Sequence, residues 1–110
     1  DSEIKGLAPD FVSILDKMRG VSNRRFIITS GFRTPEENER VGGKSNSAHL
    51  RGLAVDLRIE NSLSLTDMLW GIAIIREKYP VFLEIARDHL HLDIDSSIHD
   101  LDKTIISSED

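Results

Sequence analysis

The chain has 110 residues, 39% hydrophobic and 30% charged, with a formal net charge of -5 and no cysteine. That length suits one domain with one core. Lack of cysteine excludes disulfides and thiolate metal sites, and net negative charge without a basic run speaks against nucleic acid as a partner. No apolar run approaches the roughly 20 residues needed to cross a bilayer, so membrane insertion is not expected. The sequence opens on Asp1 without a secretory-signal pattern, which suggests a trimmed leader, tag or neighbouring segment.

Leu7, Phe11, Ile14, Leu15 and Met18 follow a helical rhythm and predict a first amphipathic helix, with Gly20 as its stop. Phe26-Ile27-Ile28-Thr29 is a β-branched run and reads as a strand, punctuated by Ser30-Gly31. Thr34-Pro35-Glu36-Glu37 carries a capping box with proline at the first helical position, which predicts a short helix to about Val41. Such capping is worth about 1 kcal/mol and has no chemistry attached. Gly42 to Gly52 reads as a loop. Leu53 to Ile59 then alternates, with Asp56 and Arg58 on the polar face.

Leu65, Met68, Leu69, Ile72, Ile75 and Tyr79 form a second helical stripe, with Thr66 as a plausible N-cap and Pro80 as the stop. Trp70 falls on this helix and is expected in the core. Two short strands follow, Phe82 to Ala86 and His89 to Ile94. In the latter, His89, His91 and Asp93 face away from Leu90, Leu92 and Ile94. The expected architecture is α+β: a small antiparallel sheet, helices on one face, a metal site on the open face. The tail from Asp95 lacks a pattern and is expected to wrap the surface or fray, with His99 exposed.

Chemistry concentrates at His49, Asp56, His89 and His91. Asp56 and His91 lie on polar strand faces, so neighbouring strands would point both into one pocket. His49 precedes Asp56 by seven residues, roughly 23 Å if extended. The chain must therefore turn back between them, and Gly52 supplies a permissive backbone. Two imidazoles and a carboxylate make three metal ligands and leave a fourth position for water, whose pKa would fall towards about 7. His89 competes with His91 for the third place. A proton acceptor is also needed, and Asp88, Glu84 and His89 are candidates. Arg33 follows the Ser30-Gly31 turn and could stabilise developing negative charge, or serve only as an ion-pair partner. Asp93-Ile94-Asp95-Ser96-Ser97 does not make a calcium loop, because Ile98 and Thr104 stand where an EF-hand needs Gly and Glu.

Ser47-Ala48-His49-Leu50-Arg51-Gly52-Leu53-Ala54-Val55-Asp56 resembles the S-x-H-x-x-G-x-A-x-D motif of the M15 family of zinc peptidases. Ser30-Gly31-Phe32-Arg33-Thr34-Pro35 resembles that family's upstream S-G-[YF]-R-[ST] segment, and His91 fits its third ligand. The family includes D-alanyl-D-alanine carboxypeptidases, D,D-dipeptidases and phage L-alanyl-D-glutamate endolysins, and the resemblance runs from Phe26 to Ile94. It implies a Hedgehog/DD-peptidase-like fold, Zn²⁺ held by His49, Asp56 and His91, and peptidoglycan stem peptides as substrate. By the same resemblance Asp88 is the general base and then proton donor, Arg33 polarises the scissile carbonyl, and Ser47 helps position substrate. Ser47 could equally tie a turn. His89 is a helper at the substrate site or a plain surface residue.

Asp88-His89-Leu90-His91 departs from the Glu and nearby Trp of many carboxypeptidases. It looks more like the endolysin branch, and it shortens the reach of the base. The substrate class implies action at the bacterial cell envelope, which a phage lysis or virion role would supply. A zinc-containing binding or structural module of the same fold, without turnover, is the alternative reading.

Overall fold

The computed structural model describes residues 4–107. Helix α1 spans Pro9–Ser22, with proline in its first turn, where a missing N–H costs nothing. It passes through Gly20, the expected stop, and ends at Asn23, which adopts the left-handed conformation (φ 54°) and donates its N–H to the Arg19 carbonyl. Strand β1 is Ile28–Ser30 and α2 is Pro35–Arg40, capped reciprocally by Thr34 and Glu37 as the sequence predicts. A 3-10 helix, Ala48–Arg51, precedes β2, Ala54–Arg58. Helix α3 is Ser62–Arg76. Its cap is Asn61, which exchanges hydrogen bonds with Ser64, while Thr66 lies inside the helix and donates its hydroxyl to the Ser62 carbonyl. β3 is Phe82–Ile85, β4 is His89–Asp93 and β5 is Thr104–Ile106.

The five strands form one sheet in the order β1-β2-β4-β3-β5. Four strands pair antiparallel as expected, but β5 runs parallel to β3, so the sheet is mixed. The reason is connectivity. β4 ends beside the start of β3, where Phe82 pairs with Asp93, and the chain steps across β3 there, bringing Thr104 beside Leu83. The tail thus contributes a strand instead of fraying.

Helices α1 and α3 pack against one face of this sheet. Phe11, Leu15 and Met18 of α1, Met68 and Ile72 of α3, and Val55, Leu57, Leu90 and Leu92 of the central strands make up most of the core. Trp70 is the exception to the expected pattern, at 62% exposed. Two residues on from Met68 is about 200° around a helix, so Trp70 points away from the sheet. Among the described residues no helix is long and apolar enough to cross a membrane.

The two helices touch through Gly71, where a Cβ would lie 2.5 Å from the Met18 carbonyl oxygen and 2.8 Å from Ser22 Cβ. Backbone cannot yield as a flexible side-chain tip can. Gly71→Val is therefore expected to cost about 1–3 kcal/mol in urea unfolding. Trp70→Ala, on the exposed face, should stay within about 0.5 kcal/mol of the parent.

Candidate metal centre

The 3-10 helix and Gly52 solve the distance problem between His49 and Asp56. Ser47 caps this helix by accepting the His49 N–H (3.2 Å), and Gly52 closes it in the left-handed region (φ 70°). A Cβ at Gly52 would collide with the Gly6 carbonyl. The chain therefore reverses between the two residues and enters β2. His49 is 3% exposed, and its Nδ1–H donates to the Gly31 carbonyl at 2.7 Å. Its position is fixed a second time by the Arg33 N–H, which donates to the His49 carbonyl at 3.1 Å. With Nδ1 bonded to the Gly31 carbonyl, Nε2 is the ring nitrogen that faces Asp56, 3.5 Å from its Oδ1.

Asp56 on β2 stands directly opposite His91 on β4. Their side chains share the sheet face away from the helices, with His91 Nδ1 2.9 Å from the same Asp56 Oδ1. The His49 and His91 rings meet edge to face at 5.4 Å. One ligand atom from each of His49, Asp56 and His91 lies within 4.8 Å of the others. Ligands about 2.0–2.1 Å from a tetrahedral ion are roughly 3.3 Å apart, so small side-chain adjustments would close this group around a divalent cation. Two nitrogens and one carboxylate oxygen leave a coordination position for a reacting molecule, so the donor set fits a catalytic ion.

Arg33 reaches the same place. Its Nε donates to the Ser30 hydroxyl (3.2 Å) and Nη1 to the Asn38 amide oxygen (3.0 Å), leaving Nη2 3.9 Å from Asp56 Oδ2. A cleft of about 460 Å³ opens beside Asp56, walled by Thr29, Arg58, Ile59, Asp88 and His89. Asp88 lies at the turn into β4. It is 87% exposed and accepts from His89 Nδ1 at 2.8 Å. Glu84 pairs across from His91 on β3. The Ser47 hydroxyl accepts the backbone N–H of His49 and so supports that residue.

A family model for Peptidase M15 matches residues 2–93. The chain belongs to the M15 peptidase family. No curated protein matches it. Membership suggests a metallopeptidase, and the matched segment contains the three clustered donors, Arg33 and Asp88.

Electrostatics at this M15 site are set by opposing pressures. Burial pushes the Asp56 carboxyl upward, yet hydrogen bonds from His49 and His91 outweigh it and hold Asp56 well below the usual carboxylate range. Burial likewise pushes His91 down, and its bonds to Asp56 and Asp93 reverse this, raising it to about 9. Asp88 is lowered, chiefly by its hydrogen bond from His89.

Three participants escape a reading of the sequence. Asn38, buried in α2, accepts from Arg33 and donates its Nδ2 to the Lys44 carbonyl, though its segment carries only a capping signal. Asp93 accepts from His91 Nε2 at 2.7 Å; strand alternation places it on that face and says nothing of the contact. His99, expected to be exposed, stacks on Phe82 at 4.0 Å and bonds Asp93. No local pattern connects a tail residue to that strand.

The raised His91 has two measurable consequences for the metal-free protein. Its folded value exceeds the ordinary 6.5, so the stability it contributes is fully present below about pH 6.5 and fades as pH rises towards about 9. Urea midpoints across that window should fall. A bound cation must displace this proton, so apparent metal affinity should climb about tenfold per pH unit up to about 9, with close to one proton released. Calorimetry in buffers of different ionisation enthalpy reads the proton count directly.

Proposed function

We propose that the chain is a zinc-dependent peptidase acting on the peptide stems of bacterial peptidoglycan, in a Hedgehog/DD-peptidase-like fold, with His49, Asp56 and His91 as the zinc ligands. The convergence of these donor atoms within 4.8 Å, in a chain of a peptidase family, carries the reading. Two imidazoles and one carboxylate suit zinc, whose catalytic sites keep three protein ligands and one open position. When bound, zinc supplies Lewis-acid polarisation of the scissile carbonyl and makes water acidic enough to react at neutral pH.

The remaining work falls to side chains. Asp88, at the mouth of the cleft, takes the proton of the attacking water and passes it to the departing amine. An exposed carboxyl is ionised at neutral pH, the state a base needs, and its bond from His89 lowers it further. Its exposed turn lets it swing over substrate that fills the cleft beside Asp56. His89 steers Asp88 and touches substrate there. Arg33, anchored by Ser30 and Asn38, holds a guanidinium beside the donors where negative charge develops on the carbonyl oxygen. Ser47 acts through His49, whose N–H its hydroxyl accepts.

One observation favours the second reading, a metal-binding module without turnover: Asp88 is bonded to His89 and not to any of the three donors. A paired assay separates the two. Metal content is measured, then release of new amino groups from purified peptidoglycan is followed with and without chelator. One zinc per chain and chelator-sensitive release are expected. Asp88→Asn should keep the zinc and lose about 10²–10⁴-fold in kcat, while His49→Ala should lose both. Zinc without release from walls of several chemotypes would favour the binding module. Full activity in Asp88→Asn would remove the base from this scheme and turn attention to Glu84.

A further inference from the structure

Asp93 is buried completely, at 0% exposure, at the end of β4. A buried carboxylate persists only where its charge is met. Its Oδ2 is 2.7 Å from His91 Nε2 and 2.7 Å from His99 Nδ1, and its Oδ1 accepts the Asp95 N–H at 3.2 Å. A carboxylate only accepts, so both ring nitrogens facing it carry hydrogen. With Nε2–H fixed on Asp93, the nitrogen that His91 can offer a metal is Nδ1, the one that faces Asp56. We propose that Asp93 and His99 are a positioning relay for the metal site: Asp93 sets the tautomer and ring angle of His91, and His99 holds Asp93 in place. The proposal rests on the reading of His91 as a ligand.

The segment that delivers His99 is built for fixed placement. The Ile98 and His99 N–H groups both donate to the Asp95 carbonyl at 3.0 Å. Asp95 Oδ1 accepts the Ser97 N–H and hydroxyl. Phe82, directly opposite Asp93 in the sheet, stacks on the His99 ring at 4.0 Å and 10°. Arg51 then ties this turn to the 3-10 helix that carries His49, with Nε 3.3 Å from Asp95 Oδ2 and Nη1 3.0 Å from the Ser97 hydroxyl. The tail therefore braces both histidines of the donor group, one through Asp93 and one through Arg51. His99 lies beyond the segment that matches the family, which ends at residue 93.

His91, Asp93 and His99 also lie close enough to hold a cation of their own. The geometry favours the relay. Both imidazoles sit at hydrogen-bond length from one oxygen, so the group satisfies itself without an ion, and Asp93 has no surface from which to take a fourth ligand.

Asp93→Asn, His99→Gln and the double variant test the relay in the full chain. Zinc affinity is read by competition with a chromogenic chelator, and ligand geometry by the visible spectrum of the cobalt(II)-loaded protein. Asp93→Asn should weaken zinc about 10–100-fold and shift the cobalt bands. His99→Gln should weaken it several-fold in the same direction, and the double variant should resemble Asp93→Asn, since His99 acts through Asp93. His99 is partly exposed, so His99→Gln keeps the test open if Asp93→Asn fails to fold. Affinity and bands unchanged in both single variants would overturn the relay. So would two zinc ions per chain with the second lost in His99→Gln. His91→Ala separates the two levels: normal zinc binding there removes the ligand reading itself, whereas loss of zinc there with unaltered Asp93→Asn and His99→Gln removes only the relay.

Discussion

The pairing of β2 with β4 is the constraint on which the rest depends. Val55 and Leu57 alternate with Asp56 on one strand, and Leu90 and Leu92 with His91 on the other. The four apolar side chains are fully buried on the helix side, so the register that seals the core also sets Asp56 opposite His91. A slip by one residue would send the carboxylate into the core and a leucine into the cleft. The chemistry of the open face is thus protected by hydrophobic burial on the other face, which stabilises by about 25 cal/mol per Å² of apolar surface. His49 is not part of the sheet, and a separate device, Ser47 with Gly52, brings it to the same place.

Such a site gathers charge that a folding chain would avoid. Asp56 and Asp93 flank His91 within hydrogen-bond distance on either ring nitrogen. In the metal-free protein a protonated His91 sits between two carboxylates and neutralises part of their charge. The proton occupies the electrostatic role that a cation would take: His91 is shifted upward by its two carboxylates, and Asp56 downward by its bonds from His49 and His91. Removing one partner of such a buried group costs more than the pair contributes, because the other charge is left alone. Arg33, tied to Ser30 and Asn38, adds positive charge at the edge without replacing the imidazoles.

Local chemistry made much of this legible in the sequence, and distance hid the rest. The Thr34 capping box is a four-residue signal, and it appears where it was read. The meeting of His49, Asp56 and His91 was legible because strand alternation and one motif constrain them. Thr66 and Asn61 are both good N-caps, but Asn61 exchanges hydrogen bonds with Ser64 three residues on, whereas Thr66 has Leu69 there and no such partner. Strand β5 is three residues long and pairs with a segment some twenty residues earlier, so no periodicity announces it. Trp70 departs from its expected burial because a helix stripe does not say how wide the buried face is; Gly71, one residue on, is where α1 approaches. His99 was invisible for the reason β5 was: its partners Phe82 and Asp93 are remote in sequence.

The centre is rigid at the donors and loose at the proposed base. His49, Asp56 and His91 are held by backbone pairing, a capped turn and ring contacts, while Asp88 occupies an exposed turn, bonded to His89. Water surrounding Asp88 weakens every electrostatic effect there, so its full strength as a base requires that something exclude that water. The cleft walls of Thr29, Arg58, Ile59 and His89 leave the top open. On the proposed reading, bound substrate supplies the missing cover, which would couple catalysis to the fit of the peptide over Asp88. An M15 centre of this kind would select its substrate less by a deep pocket than by whether the bound chain shields its own reacting bond.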